Sequence, residues 1–354
     1  MEIEAYLKRY AKWKKVLIIL ILLSLGFFII SLNVGFMKIP LRHIVEIFIS
    51  EMPLLNKLIP IKSFSELEKT IILGIRFPRV LASFLVGLSL ASAGVVFQGI
   101  FRNPMADPFI IGVSSGAALG AALAIVLKAG IGILGYYTIP AMAFFGSLLA
   151  LFITYNISKV GSTIPITTLL LSGIAVSIFF SSIVAMLEVI AGAELHPLVF
   201  WLMGGFSYVE WNDILLSFPL IFLSEIVICA FARDLNLMLL GEEEAKHLGV
   251  SVEKTKKILI VFASLITAIS VSLSGIIGFV GLIVPHIARI LIGPDHRILI
   301  PTSMLVGGIF LMVCDSLARI AMLPAELPVG IITALSGGPF FIYLLRKKKG
   351  SYVM

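Results

Sequence analysis

Residues 257–292 read KILIVFASLITAISVSLSGIIGFVGLIVPHIARILI, and between Lys257 and Arg289 no acid, lysine or arginine interrupts them. A helix crosses the hydrocarbon core of a bilayer with about 20 apolar residues, so this run is long enough for nearly two crossings. Ser274-Gly275 is the natural break, dividing it into spans at 257–275 and 276–292. Working outward, further runs of comparable length lie at about 16–36, 80–101, 109–127, 138–158, 166–190, 213–232, 301–323 and 328–345. The pattern predicts an all-α, polytopic membrane protein of about ten transmembrane helices. The longest connector, roughly 37–79, reads as a polar loop containing Pro40, Pro53 and Pro60, too short for a soluble domain. Residues 1–354 are therefore expected to form a single transmembrane domain.

Composition agrees. The 354 residues are 59% hydrophobic and 13% charged, with a mean hydropathy of +1.11. Soluble proteins carry about 25% charged residues, and a water-soluble globule of this make-up would expose apolar surface it could not cover. A disordered chain is excluded by the same figures. Cys229 and Cys314 both sit in apolar runs, which indicates neither a disulfide framework nor a thiolate metal site. The net charge of +7 and pI of about 9.4 do not call for nucleic acid, because positive charge in a membrane protein collects at the cytoplasmic ends of its helices. Lys8, Arg9, Lys12, Lys14 and Lys15 precede the first run, and no A-x-A-like site follows it, so an uncleaved first span is expected rather than a signal peptide. With that terminus inside and ten spans, the tail Arg346, Lys347, Lys348 and Lys349 is also inside. The Lys and Arg residues then divide about two to one in favour of the inner face. The expected topology is a multi-pass protein of the cell membrane with both termini cytoplasmic.

Several segments do more than dissolve in lipid. Gly87, Ala91 and Gly94 in the second span, and Gly173 and Ser177 in the fifth, place small residues on one helix face, which lets helices approach closely. Arg76-Phe77-Pro78-Arg79 opens the second span on the outer side, where the charge rule expects few cations, and Arg319 near the outer end of the ninth span is a similar exception. Two readings are open: arginines snorkelling to lipid headgroups, or cationic sockets for carboxylates of an extracytoplasmic partner. Asp315, one turn before Arg319, is placed to orient it. On the inner side, Gln98 to Pro108 carries two prolines and an asparagine that force a tight non-helical turn. Gly112-Val113-Ser114-Ser115-Gly116-Ala117 follows, suited to close packing more than to holding an anion.

Gly241-Glu242-Glu243-Glu244-Ala245-Lys246-His247-Leu248-Gly249-Val250 lies in the one long charged stretch on the inner side, 233–257. Acids come first and bases last, as a helix dipole favours, and Gly249 supplies a C-cap. A short helix across the membrane face is expected, either a solvated connector or a docking element in which Ala245 and Gly249 give a low surface. The sequence has no G-x-x-x-x-G-K-[ST], hence no P-loop. Glu225, near the middle of the sixth span, is the one intramembrane acid outside these segments, either functional or a hydrogen-bonded structural group. His43, His196, His247, His286 and His296 are scattered, without ligand spacing, and no nucleophile–base pair is evident, so no metal site, cofactor or catalytic residue is expected.

Taken in series, these segments resemble the permease subunits of type II ABC importers, the family that carries iron–siderophores, haem and cobalamin. The resemblance continues through Gly278-Phe279-Val280-Gly281-Leu282-Ile283-Val284-Pro285-His286-Ile287-Ala288-Arg289, Asp295-His296-Arg297, Asp315, Ala318-Arg319 and Glu326-Leu327-Pro328-Val329-Gly330, with order and spacing agreeing from about 70 to 345. It implies an all-helical homodimer or pseudo-dimer with the substrate path on its two-fold axis. It also implies two cytoplasmic ABC ATPase subunits, where ATP is hydrolysed, and an extracytoplasmic substrate-binding protein. Residues matching Arg76, Arg79 and Arg319 receive glutamates of that binding protein. Those matching Gly241 to Val250, among them Gly241, Glu242, Ala245, Leu248 and Gly249, form the element that docks on the ATPase. Asn103, Met105, Ile166 and Thr167 match positions near the cytoplasmic gate, although Ile166 stands where relatives carry a hydroxyl and Thr168 where a basic residue occurs.

The expected function is thus the membrane subunit of an ATP-driven importer for a metal chelate of the iron–siderophore, haem or cobalamin type. A stand-alone secondary transporter or channel would show an inverted repeat with broken helices and polar midplane groups. A membrane enzyme would show a reactive constellation within the spans. Siderophore, haem, corrinoid and oxyanion cargo all stay open.

Overall fold

The computed structural model describes residues 2–52, 63–128, 135–161 and 163–349. From the N-terminus come α1 (Glu2–Asn33), α2 (Leu41–Ser50), α3 (Glu66–Ile100), α4 (Val113–Val126), α5 (Thr138–Ser158) and α6 (Ile166–Ile190). They are followed by α7 (Leu195–Met203), α8 (Trp211–Ala230) and two short helices, α9 (Ala232–Met238) and α10 (Glu242–His247). Then come α11 (Val252–Ser274), α12 (Val280–Ile292), α13 (His296–Ile320) and α14 (Val329–Lys349). Seven of these, α1, α3, α5, α6, α8, α11 and α13, have the length and hydropathy of a membrane span, and α4, α12 and α14 are shorter apolar helices. These are the ten apolar runs of the sequence. The protein is all-α and multi-pass.

The short helices have physical causes. α12 has 13 residues, about 20 Å at 1.5 Å per residue, against a hydrocarbon core of about 30 Å. α11 stops at Ser274, as the Ser274-Gly275 break suggested, with Gly275 at φ +65°, but helix resumes only at Val280 after Phe279 at φ +71°. The unwound residues between them are tied into the protein: Gly205 N–H donates to the Ser274 carbonyl at 2.7 Å. Non-helical backbone at membrane depth survives only where protein satisfies it.

The connector expected over 37–79 is smaller than the sequence suggested. α2 lies within it, and α3 begins at Glu66, well ahead of the span predicted to open near residue 80. Pro53 and Pro60 lie outside the described residues. Polar residues at the start of α3 hid this extension from a hydropathy reading. Pro78 lacks an N–H and its ring crowds the carbonyl four residues back. The preceding turn, Ile71–Arg76, is π-helical, a widening that accommodates the proline.

From Pro78 to Ile100 nearly every residue of α3 is buried, so this helix is the axis of the bundle. α13, α11, α12 and α8 surround it. Its small residues act as their spacing implied: a Cβ on Gly94 would strike the Gly281 carbonyl of α12, and one on Gly87 the Gly307 carbonyl of α13. Gly173 behaves differently. It seats the turn at Ile110 rather than a neighbouring span.

Candidate functional site

The three arginines marked by the sequence come together although Arg319 lies far along the chain from Arg76 and Arg79. All are buried, with Arg76 at 6%, Arg79 at 6% and Arg319 at 3% exposure. Arg79 Nε donates to Asp315 Oδ1 at 2.9 Å, and its Nη1 donates to Glu326 Oε2 at 2.7 Å. Arg319 Nε stands 3.2 Å from Asp315 Oδ2, an ion pair whose angle falls short of a hydrogen bond. One fully buried carboxylate therefore sits between two guanidiniums. Asp315 orients Arg319, as their one-turn spacing suggested.

Arg319 also donates to the carbonyls of Val34 at 2.6 Å and Ser31 at 3.0 Å. Arg76 donates to the carbonyls of Leu32, Asn33 and Met37, and Gly35 lets the chain close over its guanidinium. The segment after α1 is thus folded around two cations. Burial at this depth removes the lipid-snorkelling reading. The exposed acid of the cluster is Glu326, whose side chain is 41% accessible and also accepts from the Ser207 hydroxyl.

At the opposite end of the bundle, α9 and α10 meet at Gly241, where φ is +146°. α10 carries three acids in its first turn and Lys246 and His247 in its last, matching the helix dipole. It ends in a Schellman motif: Gly249 N–H donates to the Lys246 carbonyl, Val250 N–H to the Ala245 carbonyl, both at 2.9 Å, with Gly249 at φ +87°. Glu242 pairs with Lys256 of α11 at 2.7 Å and fixes the short helix to the bundle.

The expectation that Ala245 offers an outward surface is corrected by its burial. It is fully covered, packed with Met238, Val250 and Val252. The outward face is instead Leu239, Leu240 and Leu248, each exposed, beside Gly249 with open space around it. A one-dimensional reading misses this because Ala245 and Leu248, three residues apart, are neighbours by helical period, and only the packing at the end of α10 separates the buried residue from the exposed C-cap.

The chain as a whole matches known proteins. The FecCD transport family matches residues 16–347. The chain belongs to the FecCD transport family. Among its relatives, the cobalamin import permease BtuC of Halobacterium salinarum is 47% identical over 284 residues, 80% of this chain and 75% of that one. The hemin transport permease HmuU of Yersinia pestis is 38% identical, covering 94% of each chain, and the molybdate import permease MolB of Haemophilus influenzae is 36% identical, covering 95% and 97%. An inward-facing structure of a metal-chelate-type ABC transporter superposes with a TM-score of 0.81 at 34% identity, covering 94% of this chain and 99% of that one. This FecCD chain is a permease of the type II ABC importer class.

Between the spans, the FecCD chain holds the turn expected from residues 98–108. Arg102 adopts φ +48°, Asn103 N–H donates to the Gln98 carbonyl at 3.1 Å, and Asn103 Oδ1 accepts from Met105 N–H at 2.9 Å. Ile166, half-buried, packs against the core that includes Ala106 and Ile111, while Thr167 is exposed. The Thr168 hydroxyl bonds to the carbonyls of Ser158 and Pro165. Glu225 is buried and accepts from the Ser92 hydroxyl at 2.6 Å, joining α8 to α3. Among the described residues no group of three His, Cys, Asp or Glu side chains could hold a metal ion.

Asp107 caps the turn leading to α4, accepting from Phe109 N–H at 2.8 Å. Burial pushes its carboxyl up to about 6, only partly offset by that hydrogen bond. The folded state therefore holds a proton that the unfolded state has already released between the ordinary aspartate range and pH 6, so stability falls as pH rises through that window. Asp107→Asn is expected to flatten the decline in thermal stability between about pH 4 and 6. An unaltered profile would remove Asp107 as its source.

Residues that the sequence marked only as motif members turn out to organise the α10 end. Asp295 caps α13 and joins three elements: Arg9 of α1 at 3.1 Å, Asn236 of α9 at 2.8 Å, and Arg297 at 2.7 Å. The Arg297 guanidinium, helped by Asn236, holds its carboxyl down at about 2. Asn236 carried no signal in the sequence, since a lone amide in a polar stretch has no periodicity or motif to mark it.

Proposed function

We propose that this FecCD permease imports a corrinoid-type metal chelate, delivered by an extracytoplasmic binding protein and driven by two cytoplasmic ABC ATPase subunits. The supporting observation for the cargo is the 47% identity to a permease of cobalamin import, against 38% and 36% for permeases of haem and molybdate. ATP hydrolysis falls to the separate subunits, in keeping with the lack of a P-loop in the sequence. A second copy completes a homodimer, and the excess of Lys and Arg puts both termini in the cytoplasm. Vesicles holding the complete transporter should take up labelled cyanocobalamin in preference to hemin and molybdate. Preferential uptake of either of the other two would reject the corrinoid reading.

In this reading the end of the bundle with Arg76, Arg79 and Arg319 receives the binding protein. Arg76, satisfied by carbonyls alone, supplies the positive potential, while Asp315 and Glu326 offset much of the charge on the other two. The potential that Arg76 adds reaches an approaching partner through solvent, where charge is screened over about 10 Å at 0.1 M salt. Arg76→Gln is therefore expected to weaken docking about tenfold at low salt and to flatten its salt dependence. Unchanged low-salt affinity would assign Arg76 to loop anchoring alone. At the other end, Gly241, Glu242, Ala245, Leu248 and Gly249 form the element that engages the ATPase. Glu242 and Ala245 fix α10, and Leu248 and Gly249 lie on the contact face. Asn103, Met105, Ile166 and Thr167 lie near the cytoplasmic gate.

A further inference from the structure

The last turn of α3 packs against both α9 and the start of α13. A methyl group on Gly99 would stand 3.0 Å from His296 Nε2 and 3.2 Å from Leu235 Cδ2. Both approaches are tighter than ordinary contact, so a side chain at position 99 requires the His296 ring or the Leu235 methyl to give by a few tenths of an ångström. The His296 ring is held by Asn236: Asn236 Oδ1 accepts from His296 N–H and from its Nδ1, both at 2.8 Å, while Asn236 Nδ2 donates to Asp295. This network makes Nδ1 the donor and turns Nε2 toward Gly99.

The neighbouring residue carries the contact onward. Gln98 Oε1 accepts from Arg289 of α12 at 3.0 Å, and its amide lies 3.3 Å from the Gly281 and Leu282 carbonyls and 3.5 Å from that of Ala106. Its own carbonyl accepts from Asn103 N–H. Gln98 thus faces the turn 101–107 from both its main chain and its side chain.

We propose that Leu235, directly against Gly99, and Asn236, through His296, are positioning residues of α9 that transmit movement of α9–α10 to the Gln98–Ala106 turn. The inference rests on the reading of Gly241–Val250, which holds α10 and its C-terminal cap, as the ATPase-docking element. A displaced α9 cannot keep Leu235 on Gly99 without carrying the end of α3, because close-packed interfaces shift between discrete arrangements rather than deforming smoothly. The part-buried bonds of Asn236 make the tie directional: its oxygen is committed to His296 and its amide to Asp295.

The test uses the complete transporter in vesicles, with ATP hydrolysis, cargo uptake and ATPase association measured separately. Gly99→Ala, Gly99→Ser and Asn236→Leu are expected to leave association unchanged while ATP consumed per cargo rises about tenfold. His296→Asn, which keeps a donor near the Nδ1 position, is expected to retain more coupling than His296→Ala. An unchanged ratio in both Gly99 variants and in Asn236→Leu would overturn the proposal. So would loss of association in Asn236→Leu with normal coupling in the Gly99 variants. Failure of the docking reading itself is distinguishable, because Gly249→Trp would then leave ATPase stimulation intact.

Discussion

Asp315→Ala is expected to cost the folded bundle about 3–5 kcal/mol, the range for removing one partner of a buried ion pair. Asp315 is fully buried between Arg79 and Arg319, themselves almost wholly covered. Without it, Arg79 keeps only Glu326, and Arg319 keeps carbonyl and hydroxyl acceptors but no carboxylate. The cost is that of uncompensated charge rather than of lost packing. Pairing Asp315→Ala with Arg319→Met should therefore recover part of the loss, since removing both members of a buried pair is far cheaper than removing one. Thermal unfolding in detergent, read for the single and double variants, separates the cases. Equal destabilisation of the two would mean that cavity formation dominates.

Gly249→Trp is expected to abolish stimulation of the ATPase while leaving the permease folded. Gly249 lies at φ +87° with open space where a side chain would project, so the strain at this position is local, about 1–2 kcal/mol. An indole there stands beside exposed Leu248 on the face proposed to meet the ATPase. A protruding ring on a docking face prevents close contact, and an ATPase that cannot seat gains no difference in affinity between bundle conformations. Asp315→Ala loses stability, whereas Gly249→Trp loses coupling in a stable protein. ATPase activity titrated with purified variant permease checks it, and wild-type stimulation would count against the docking assignment.

The spans were legible because hydropathy over about 20 residues is a strong signal and lipid leaves the backbone few options. The Ser274-Gly275 break could be placed because the run is too long for one crossing, and this small, flexible pair stands near its middle. α7 escaped notice because its nine residues fall far below a spanning length. The start of α3 at Glu66 was hidden by its polar first turn, capped by Ser65, which reads as loop on any hydropathy scale.

Within the candidate sites, the arginines announced themselves by being charged where cations are costly. Asp315, one turn before Arg319, was legible with them, but their other partners were not. Glu326 and the carbonyls of residues 31–37 meet them only through tertiary folding. The inward turn of Ala245 follows from packing on Met238 and Val252, which no local pattern reveals. Gln98, Arg289 and His296 were visible as members of motifs, but their mutual contacts depend on the packing of α12 and α13 against the end of α3.

The most direct measurement is uptake of cargo into vesicles holding this permease and its loaded binding protein, with and without the cytoplasmic ATPase. Uptake should require both the ATPase and ATP and should stop when either is withheld. Transport at the same rate by the permease alone would contradict an ATP-driven role for this chain.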